Sequence, residues 1–405
     1  MPGAGASATI LSDPIRKRSP KIPFGGAPKT FFMERRMLEA YLKDLEEVVN
    51  IDCGSATVDG VTKVAEIMKR HYDELGFATE LVDLGPKAGK GLRATNKPGA
   101  DHYDIMFNAH LDTVFPEGTV AQRPFKIEGD RVTGPGCADC KAGVIAILHA
   151  LKAARKEDLD RLSICVAYNP DEETGSVAST EWLASHGKHA KNVLIFEAAR
   201  AGGELVRSRK GVGSFTVTFK GVSAHAGNNP WDGRNANVAA MKFALAAYEL
   251  ADAELGTTVN PGVLKGGSAP NVISDSCEVQ IDIRYWKDED GRALKAKIED
   301  LVGKTWVEGV TQTMRVDCFG PAMPLSEDTK ELVAKITEAA KLEGFDAQWV
   351  DAGGGSDGNH IAKEGVPVID GCAPAGGAFH SDREFLRLDT VEERIRMVTR
   401  FLTLI

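Results

Sequence analysis

The chain has no long apolar run, no surplus of positive charge and no even set of cysteines. No stretch approaches the roughly 20 consecutive apolar residues that a membrane-spanning helix needs, so we expect no membrane partner. The formal net charge is −9, and no segment collects enough Lys and Arg to neutralise a phosphate backbone, which argues against a nucleic-acid partner. The seven cysteines are scattered along the chain. An odd, scattered set is not a disulfide framework, and it predicts a cytoplasmic protein.

The length and the segment pattern predict two folded domains after an N-terminal arm. At 405 residues the chain is too long for one ordinary hydrophobic core. Residues 1–35 contain a basic cluster that no apolar segment follows, so we expect an arm and no signal peptide. Beyond the arm, predicted helices alternate with short apolar strands such as "LSICVAY" and "NVLIFEA". This alternation predicts an α/β domain with a mixed, mostly parallel sheet that helices cover.

A second pattern interrupts the first one between residues 206 and 321. The segment "VGSFTVTFKGV" alternates with period 2, as a half-exposed strand does. The predicted order β-α-β-β-α-β over about 110 residues is that of a ferredoxin-like α+β domain. We therefore expect this smaller domain to be inserted into the α/β domain, which would comprise residues 36–205 and 322–405.

Acidic and histidine residues follow several predicted strands of the larger domain, at the sheet edge where open α/β sheets place their sites. In "NAHLDTV", His110 and Asp112 lie two residues apart on an extended segment and point to the same face. A metal-bound imidazole usually donates its other N–H to a carboxylate, and Asp112 is the candidate partner. A polar loop after a strand would show the same residues.

The segment "GPGCADCKAG" supports two different interpretations. Cys137 and Cys140 have the C-x-x-C spacing of a redox pair or of half a zinc-thiolate site, but no second C-x-x-C or C-x-x-H completes such a site. Asp139 precedes a predicted helix, where an aspartate is either an N-cap or a metal ligand. We expect the cysteines to be small packing residues and Asp139 to be the functional group.

Three further segments carry carboxylates or a histidine. "NPDEETGS" places Asp171, Glu172 and Glu173 in succession, and these carboxylates need a compensating cation unless the loop is a solvated acidic turn. "FEAAR" places Glu197 directly after an apolar strand, where an unpaired carboxylate is unusual. "GAFHSD" adds His380. Together, two histidines and three or four carboxylates would hold two divalent cations, most naturally Zn²⁺.

The order of these segments resembles that of the M20 family of zinc-dependent metallopeptidases, and within it the glutamate carboxypeptidases of the carboxypeptidase G2 type. The shared features are His-x-Asp, Gly-x-x-Asp, Asp-Glu-Glu, a later Glu and a late His-Ser-Asp, and the resemblance extends from about residue 36 to the C-terminus. It implies two zinc ions per subunit, which Co²⁺ or Mn²⁺ can replace. It also implies that the inserted domain is a lid and dimerisation domain.

The resemblance gives each residue of the predicted centre a role. His110 would bind one zinc ion and Asp112 would orient it. Asp139 would bridge both ions, and its peptide bond to Cys140 would be cis. Glu172 would be the general base. The remaining ligands would be Glu173, Glu197 for the first ion and His380 for the second.

In the inserted domain, three residues match positions that contact substrate in the family. His225, in "GVSAHAGNNP", would reach into the partner subunit's site and help hold the oxyanion, which implies a homodimer formed through the lid. Asn271 and Arg284 would contact the terminal carboxylate of the substrate, a group that a guanidinium binds with two hydrogen bonds. The run "DAGGGSDGN" resembles the glycine-rich substrate loop of the family.

Two segments depart from the pattern of the glutamate carboxypeptidases. Such enzymes carry an arginine close before the proline that ends the lid, whereas this chain has "CFG" before Pro321. The lysine expected soon after "FEAAR" is also not in register, although Arg207, Arg209 and Lys210 lie nearby. These changes leave the zinc ligands intact, and Phe319 would favour a more apolar substrate.

These features predict a di-zinc hydrolase that cleaves an amide bond next to a free carboxylate of a small peptide and releases a C-terminal amino acid. The alternative within the enzyme class is an N-acyl-amino-acid deacylase, which recognises the other side of the amide. Outside that class, the alternatives are a zinc-binding protein without activity and a thiol redox protein that uses Cys137 and Cys140. The presence of Glu172 and of every predicted ligand argues against the inactive zinc-binding protein.

Overall fold

A computed structural model describes residues 29–405 of the chain, with side chains from residue 36 onwards. The predicted arm over residues 1–35 and the expected absence of a signal peptide therefore lie almost entirely outside the described residues. The first helix begins at Lys29, so it includes the last residues that were assigned to the arm. It ends at Val49, as the apolar stripe in the sequence predicts.

Eleven α-helices lie within the described residues, and none of them is long and apolar enough to cross a membrane. Helix α4 is buried continuously from Lys141 to Leu151, because it is apolar on nearly every side. The sequence pattern did not predict the short helices α3, α5 and α6. In chain order the helices are α1 Lys29–Val49, α2 Val58–Glu74, α3 Thr119–Gln122, α4 Lys141–Ala153, α5 Lys156–Arg161, α6 Thr180–Gly187, α7 Ala236–Tyr248, α8 Asp288–Val302, α9 Glu327–Leu342, α10 Asp357–Ala362 and α11 Val391–Leu402.

The described strands form four sheets. In chain order the strands are β1 Ala78–Val82, β2 Gly91–Thr95, β3 Ile105–His110, β4 Lys126–Glu128, β5 Arg131–Thr133, β6 Ile164–Asn169, β7 Val193–Ile195, β8 Ala198–Ala199, β9 Leu205–Arg209, β10 Gly211–Lys220, β11 Thr258–Gly266, β12 Ser276–Tyr285, β13 Thr311–Gly320, β14 Trp349–Ala352, β15 Val368–Ile369, β16 Ala373–Gly377 and β17 Phe385–Arg387. A 3-10 turn at Glu172–Thr174 follows β6.

The largest sheet has six strands in the order β1-β2-β6-β3-β7-β15. Strands β6, β3, β7 and β15 are parallel, and β1 and β2 extend the sheet in antiparallel pairing. Every residue of β3 and β6 is buried. Ile105 and Phe107 pack with α2 and α4 on one face, whereas Met106 packs with α6 and α10 on the other. The predicted mixed α/β fold with a covered sheet is therefore confirmed, although β2 was not predicted.

The inserted segment has its own four-stranded sheet and its own core. Its elements follow the order β10-α7-β11-β12-α8-β13, and the strands lie in the order β11-β12-β10-β13 with every neighbouring pair antiparallel. Helices α7 and α8 contact each other and the sheet, and Phe215, Phe243 and Ile298 are fully buried between them. The predicted ferredoxin-like domain is therefore confirmed, whereas its exact limits in the sequence stay a prediction.

Two smaller sheets join chain segments that lie before and after the insertion. Strand β8 pairs in parallel with β16, within a five-stranded sheet of order β4-β5-β17-β16-β8. Strand β9 pairs in parallel with β14. Glu197 directly precedes β8, and its carbonyl accepts from the backbone N–H of Ala373 at the start of β16, at 3.1 Å. His380 lies on the loop that follows β16.

The parallel strands of the large sheet determine where the acidic segments meet. Strand β3 ends at His110, β6 ends three residues before Glu172, and β7 ends two residues before Glu197. Because parallel strands place their carboxyl ends at one edge of a sheet, these three residues lie at the same edge.

Candidate metal centre

His110 is buried, and both of its ring nitrogens face acceptor atoms. The Nδ1 atom lies 3.0 Å from the carbonyl oxygen of Asp112 and 3.4 Å from Oδ1 of the same residue. Because a carbonyl and a carboxylate only accept hydrogen bonds, Nδ1 carries a hydrogen, and Nε2 faces the carboxylates of Asp139 and Glu197. The backbone carbonyl is the nearer acceptor, which the sequence did not indicate.

The carboxylate of Asp112 is fully buried and accepts hydrogen bonds from three donors. The backbone N–H of Glu172 donates to Oδ1 at 3.1 Å, and that of Glu173 donates to Oδ2 at 3.2 Å. The hydroxyl of Ser55 also donates to Oδ2, at 2.6 Å. Asp112 therefore fixes the turn that carries Glu172 and Glu173 relative to His110.

Asp139 presents its two carboxylate oxygens to two different histidines. Oδ1 lies 3.2 Å from Nε2 of His110, and Oδ2 lies 3.2 Å from Nε2 of His380. The peptide bond between Asp139 and Cys140 is cis, as the family resemblance implies. A carboxylate placed in this way has the geometry of a ligand that is shared between two cations.

Two further carboxylates extend this arrangement into two clusters. Glu197 places Oε1 at 3.7 Å from Nε2 of His110, and Glu173 places Oε2 at 3.3 Å from Nε2 of His380. The first cluster therefore contains His110 and Glu197, the second contains His380 and Glu173, and both contain Asp139.

The two clusters differ in their access to solvent. The side chain of His110 is 1% exposed, whereas that of His380 is 57% exposed. His380 also has a φ of 58°, in the left-handed region that residues other than glycine rarely adopt. The cluster that contains His380 is therefore the more open of the two.

Crowding of carboxylates dominates the electrostatics of the centre. Burial, together with the neighbouring Asp139 carboxylate, raises the pKa of Glu173 to about 7. Burial and the Glu197 carboxylate raise the pKa of Glu172 well above its usual range. For Asp139, burial opposes ionisation, but the hydrogen bonds with the two imidazoles lower its pKa below the usual range. Two imidazoles do not balance so many carboxylates, so the cluster lacks positive charge.

The donors in the centre fit a divalent metal. Imidazole nitrogens and carboxylate oxygens are ligands that Zn²⁺, Co²⁺ and Mn²⁺ accept. One ligand atom from each of His110, Asp139 and Glu173 lies within 4.8 Å of the others. Within the described part of the chain, Oε1 of Glu173 is buried without a hydrogen-bond partner, and a cation would compensate it. The residues present therefore form a candidate metal site.

Cys137 and Cys140 are both buried, and neither forms a disulfide. Each thiol donates to a backbone carbonyl, that of Cys140 to Phe196 at 2.9 Å and that of Cys137 at 3.5 Å. Burial raises the pKa of both thiols, which disfavours the thiolate that redox chemistry needs. The sulfur of Cys140 does lie within 4.8 Å of ligand atoms of His110 and Glu197.

Glu384 was not predicted from the sequence, although it holds the loop that carries Asp139. Its carboxylate is fully buried and accepts hydrogen bonds from the backbone N–H groups of Gly136, Ala138 and Asp139, at 3.0, 2.9 and 3.0 Å. Burial raises its pKa, and the N–H donors oppose that shift. An acidic residue four positions after His380, directly before a strand, was the available signal.

An open cleft of about 310 Å³ lies over the centre. Two arginines line it, and one of them, Arg209, donates from Nε to Oδ2 of Asp370 at 2.6 Å. The lining residues are Asp139, Glu172, Glu173, Glu197, Ala198, Arg200, Arg209, Gly354, Gly355, Phe379 and His380.

His225 and Asn271 lie together on the inserted domain, away from the residues that line this cleft. The backbone N–H of Ala226 donates to the carbonyl of Asn271 at 2.9 Å. Nδ1 of His225 accepts from the backbone N–H groups of Gly227 and Asn228, so the hydrogen is on Nε2. His225 is exposed and presents this donor outwards.

Arg284, the third predicted substrate contact, lies at the end of β12 beside the glycine-rich loop. Its Nε and Nη2 atoms donate to the two carboxylate oxygens of Asp282, each at 2.9 Å. Its Nη1 atom lies 3.5 Å from the carbonyl oxygen of Gly353, next to the two glycines that line the cleft. Asp282 therefore holds the guanidinium so that Nη1 points towards the loop.

Phe319 is not among the described residues that line the cleft. Its ring packs against those of Tyr285 and Phe215, with centroids 5.7 and 6.4 Å apart. The expectation that Phe319 favours an apolar substrate therefore gains no support from its position.

The chain is similar to known hydrolases over most of its length. Residues 106–404 match the profile of "Peptidase family M20/M25/M40". The chain is 31% identical over 371 residues to carboxypeptidase G2 of Pseudomonas sp. (strain RS-16), an alignment that covers 90% of this chain and 88% of that protein. It is 26% identical over 352 residues to a succinyl-diaminopimelate desuccinylase of Gluconobacter oxydans, covering 81% of this chain and 88% of that protein.

Solved structures share the fold. Aminopeptidase PepT of Bacillus cereus superposes with a TM-score of 0.77 at 23% identity, covering 91% of this chain and 98% of that one. Human carnosine dipeptidase 1 superposes with a TM-score of 0.62 at 15% identity, covering 92% of this chain and 98% of that one. At these identities the likeness concerns the fold alone.

The substitution Glu384→Ala is expected to lower both stability and metal affinity. It removes the acceptor of three buried N–H groups, and each such loss costs about 1–3 kcal/mol. We expect the free energy of unfolding in urea to fall by at least about 2 kcal/mol. We also expect metal affinity, measured by competition with a chelator, to fall about 10–100-fold because the loop that carries Asp139 loosens.

Glu364→Ala is the matched control, because Glu364 is an exposed glutamate just after α10. It should change neither quantity by a measurable amount. Equal stability and equal metal affinity of the two variants would show that Glu384 does not support the centre.

Proposed function

The chain belongs to peptidase family M20/M25/M40, and from this premise we propose that it releases a C-terminal amino acid by cleaving the amide bond next to a free carboxylate. It is a metallohydrolase that acts on peptide or amide bonds. The observation that carries the metal-dependent cleavage is the Asp139 carboxylate, whose two oxygens each lie 3.2 Å from a different histidine.

We propose that the centre holds two Zn²⁺ ions per subunit, which Co²⁺ or Mn²⁺ can replace. His110 and Glu197 would ligate the first ion, and His380 and Glu173 the second. Asp139 would contribute one oxygen to each. Such a pair of ions, when bound, polarises a carbonyl group and lowers the pKa of a water molecule.

Glu172 is the proposed general base. It lines the cleft, and its position is fixed by the hydrogen bond from its backbone N–H to Asp112. Its carboxylate accepts the proton of the water that attacks the amide carbonyl, and later delivers that proton to the leaving nitrogen. Its pKa, which burial and Glu197 raise, suits a group that takes up a proton and releases it again.

Asp112 has a positioning role in this proposal. It holds the backbone of Glu172 and Glu173 while its own carbonyl accepts from Nδ1 of His110. Nε2 of His110 is thereby kept free of hydrogen for a metal ion.

The proposed contacts for the carboxylate of the substrate are Arg284 and Asn271. Nη1 of Arg284 points towards the glycine-rich loop at the edge of the cleft, which supports its assignment. The name of the carboxypeptidase G2 relative supports release of a C-terminal amino acid.

An N-acyl-amino-acid deacylase is the second candidate. The desuccinylase name of another relative favours it, because that reaction removes an acyl group from an amino acid. The metal centre and Glu172 would act in the same way in both reactions.

We also propose a homodimer formed through the inserted domain. His225 and Asn271 lie on that domain and outside the cleft of their own chain, so a second chain would have to bring them to a site. Strand β11 is at the edge of its sheet, and helix α7 exposes three apolar side chains at helical spacing. These are Met241, Leu245 and Tyr248.

Unpaired cysteines support a cytoplasmic location. All seven cysteines of the sequence fall within the described residues, and none forms a disulfide.

Hydrolysis of a matched substrate panel tests the proposed reaction. The zinc-loaded protein is given N-acyl and peptidyl amides that end in glutamate, aspartate, leucine, phenylalanine or alanine, each with its C-terminal amide as control. We expect kcat/KM to be at least about 100-fold higher with the free carboxylate, because the amide leaves the guanidinium without an anionic partner. Rates that depend on the acyl group, and not on the C-terminal residue or its carboxylate, would favour the deacylase. No hydrolysis with the metals bound would contradict both.

Glu172→Gln is expected to lower kcat by about 10²–10⁴-fold while the protein keeps its metal and its fold. Metal content by mass spectrometry and melting temperature should match those of the unchanged protein. Glu181→Gln, an exposed glutamate at the start of α6, is the control that should keep full activity. A Glu172→Gln protein with near-normal kcat would exclude Glu172 as the base.

Mixing two inactive variants tests the shared site. If His225 serves the partner subunit's centre, subunit exchange between Glu172→Gln and His225→Ala proteins should restore about a quarter of the original activity. Each mixed dimer then has one intact centre, with Glu172 from one chain and His225 from the other. Activity that stays at the level of the separate variants would place His225 in its own chain's site or outside the mechanism.

A further inference from the structure

Arg200 is a basic residue that lines the cleft, and the proposed reaction gives it no role. It directly follows β8, and its backbone is fixed by two hydrogen bonds of a turn: its N–H donates to Glu204 at 3.1 Å and its carbonyl accepts from Gly203 at 2.7 Å. Its side chain is partly buried and lines the cleft together with the metal-centre residues. The sequence pattern included Arg200 in "FEAAR" but gave it no role.

The other arginine of the cleft is already paired with a carboxylate of the protein. Arg209 is 4% exposed, donates from Nε to Asp370 at 2.6 Å and from Nη1 to the carbonyl of Gly354 at 3.1 Å. Arg284 likewise uses two of its nitrogens on Asp282. Both of these guanidinium groups are paired with a carboxylate of the protein.

Within the described part of the chain, the guanidinium of Arg200 has neither a hydrogen-bond acceptor nor an ion-pair partner. Its five N–H donors have a fixed planar geometry, and a partly buried guanidinium gains free energy when an acceptor satisfies them. Burial and the nearby charge of Arg209 lower its pKa, and the carboxylate of Asp370 opposes this shift without reversing it. The carboxylates of Glu197 and Asp139 influence it from beyond ion-pair distance.

We infer that Arg200 determines specificity, and that its guanidinium binds a second anionic group of the substrate, in addition to the carboxylate proposed for Arg284. This inference rests on the proposed function. A carboxylate fits the planar fork of the guanidinium with two charge-assisted hydrogen bonds, and the cleft brings it within reach of the centre. The substrates would therefore be amides with two carboxylates, one of them beside the cleaved bond.

The test compares charged substrates with neutral isosteres. N-acylglutamate is paired with N-acylglutamine, which places the second charge on the leaving amino acid. An N-succinyl amino acid is paired with its N-butanoyl analogue, which places the charge on the acyl group. For each pair the measured quantity is the ratio of the two kcat/KM values, in the unchanged protein and in Arg200→Gln.

We expect the unchanged protein to prefer the charged member of at least one pair, and Arg200→Gln to lower that ratio on the order of 10–100-fold. Arg200→Lys keeps the positive charge but lacks the planar guanidinium. Its ratio should therefore lie between that of the unchanged protein and that of Arg200→Gln. Arg292→Gln, an exposed arginine on α8, is the control that should leave every ratio unchanged. Melting temperature and metal content show whether each variant is folded and loaded.

Two results would overturn the inference. If Arg200→Gln lowers kcat/KM for the charged and neutral members equally, the residue acts through the metal centre and does not recognise the second charge of the substrate. If neither pair shows a preference in the unchanged protein, no second anionic group is recognised. Both results are distinct from failure of the proposed function, in which no amide is hydrolysed.

Discussion

Repulsion between carboxylates is the constraint that the structure of the centre has to satisfy. Asp139, Glu172, Glu173 and Glu197 all line one cleft, and the imidazoles of His110 and His380 supply too little positive charge to balance them. Backbone N–H groups of the segments that carry these carboxylates donate to two further buried acids, Asp112 and Glu384. These hydrogen bonds hold the segments together. A divalent cation would complete the charge balance, which makes the scaffold and the proposed metal two parts of one electrostatic arrangement.

Strand ends and the turns that follow them place these groups. Parallel strands β3, β6 and β7 end at one edge, and His380 lies on the loop after β16, with its Nε2 atom 3.2 Å from Oδ2 of Asp139. A buried polar network lies behind Glu172, the proposed general base: Asp357 accepts from Asn169 at 2.7 Å and from Ser176. Glu172 and Glu173 therefore lie on a turn that is held both by the hydrogen bonds of Asp357 and by those of Asp112.

Local patterns in the sequence predicted much of this molecule, because strand ends, helices and the ferredoxin-like order are set by nearby residues. The metal-binding candidates His110, Glu173 and Glu197 follow from the same logic, since each lies at or soon after the end of a predicted strand. Glu384 could not be predicted in this way, because its partners are about 245 positions earlier in the chain. The pairing of Arg284 with Asp282, and the lack of such a partner for Arg200 among residues 36–405, are equally invisible until side chains are placed.

Glu384 and His380 lie within one short segment near the end of the chain, and they act on opposite sides of Asp139. One accepts from the backbone of its loop and the other faces its carboxylate. During synthesis the loop around residue 139 leaves the ribosome long before that segment does. The nascent chain therefore carries an incomplete set of the proposed ligands for most of its translation, and the candidate centre is complete only when nearly the whole polypeptide has been made.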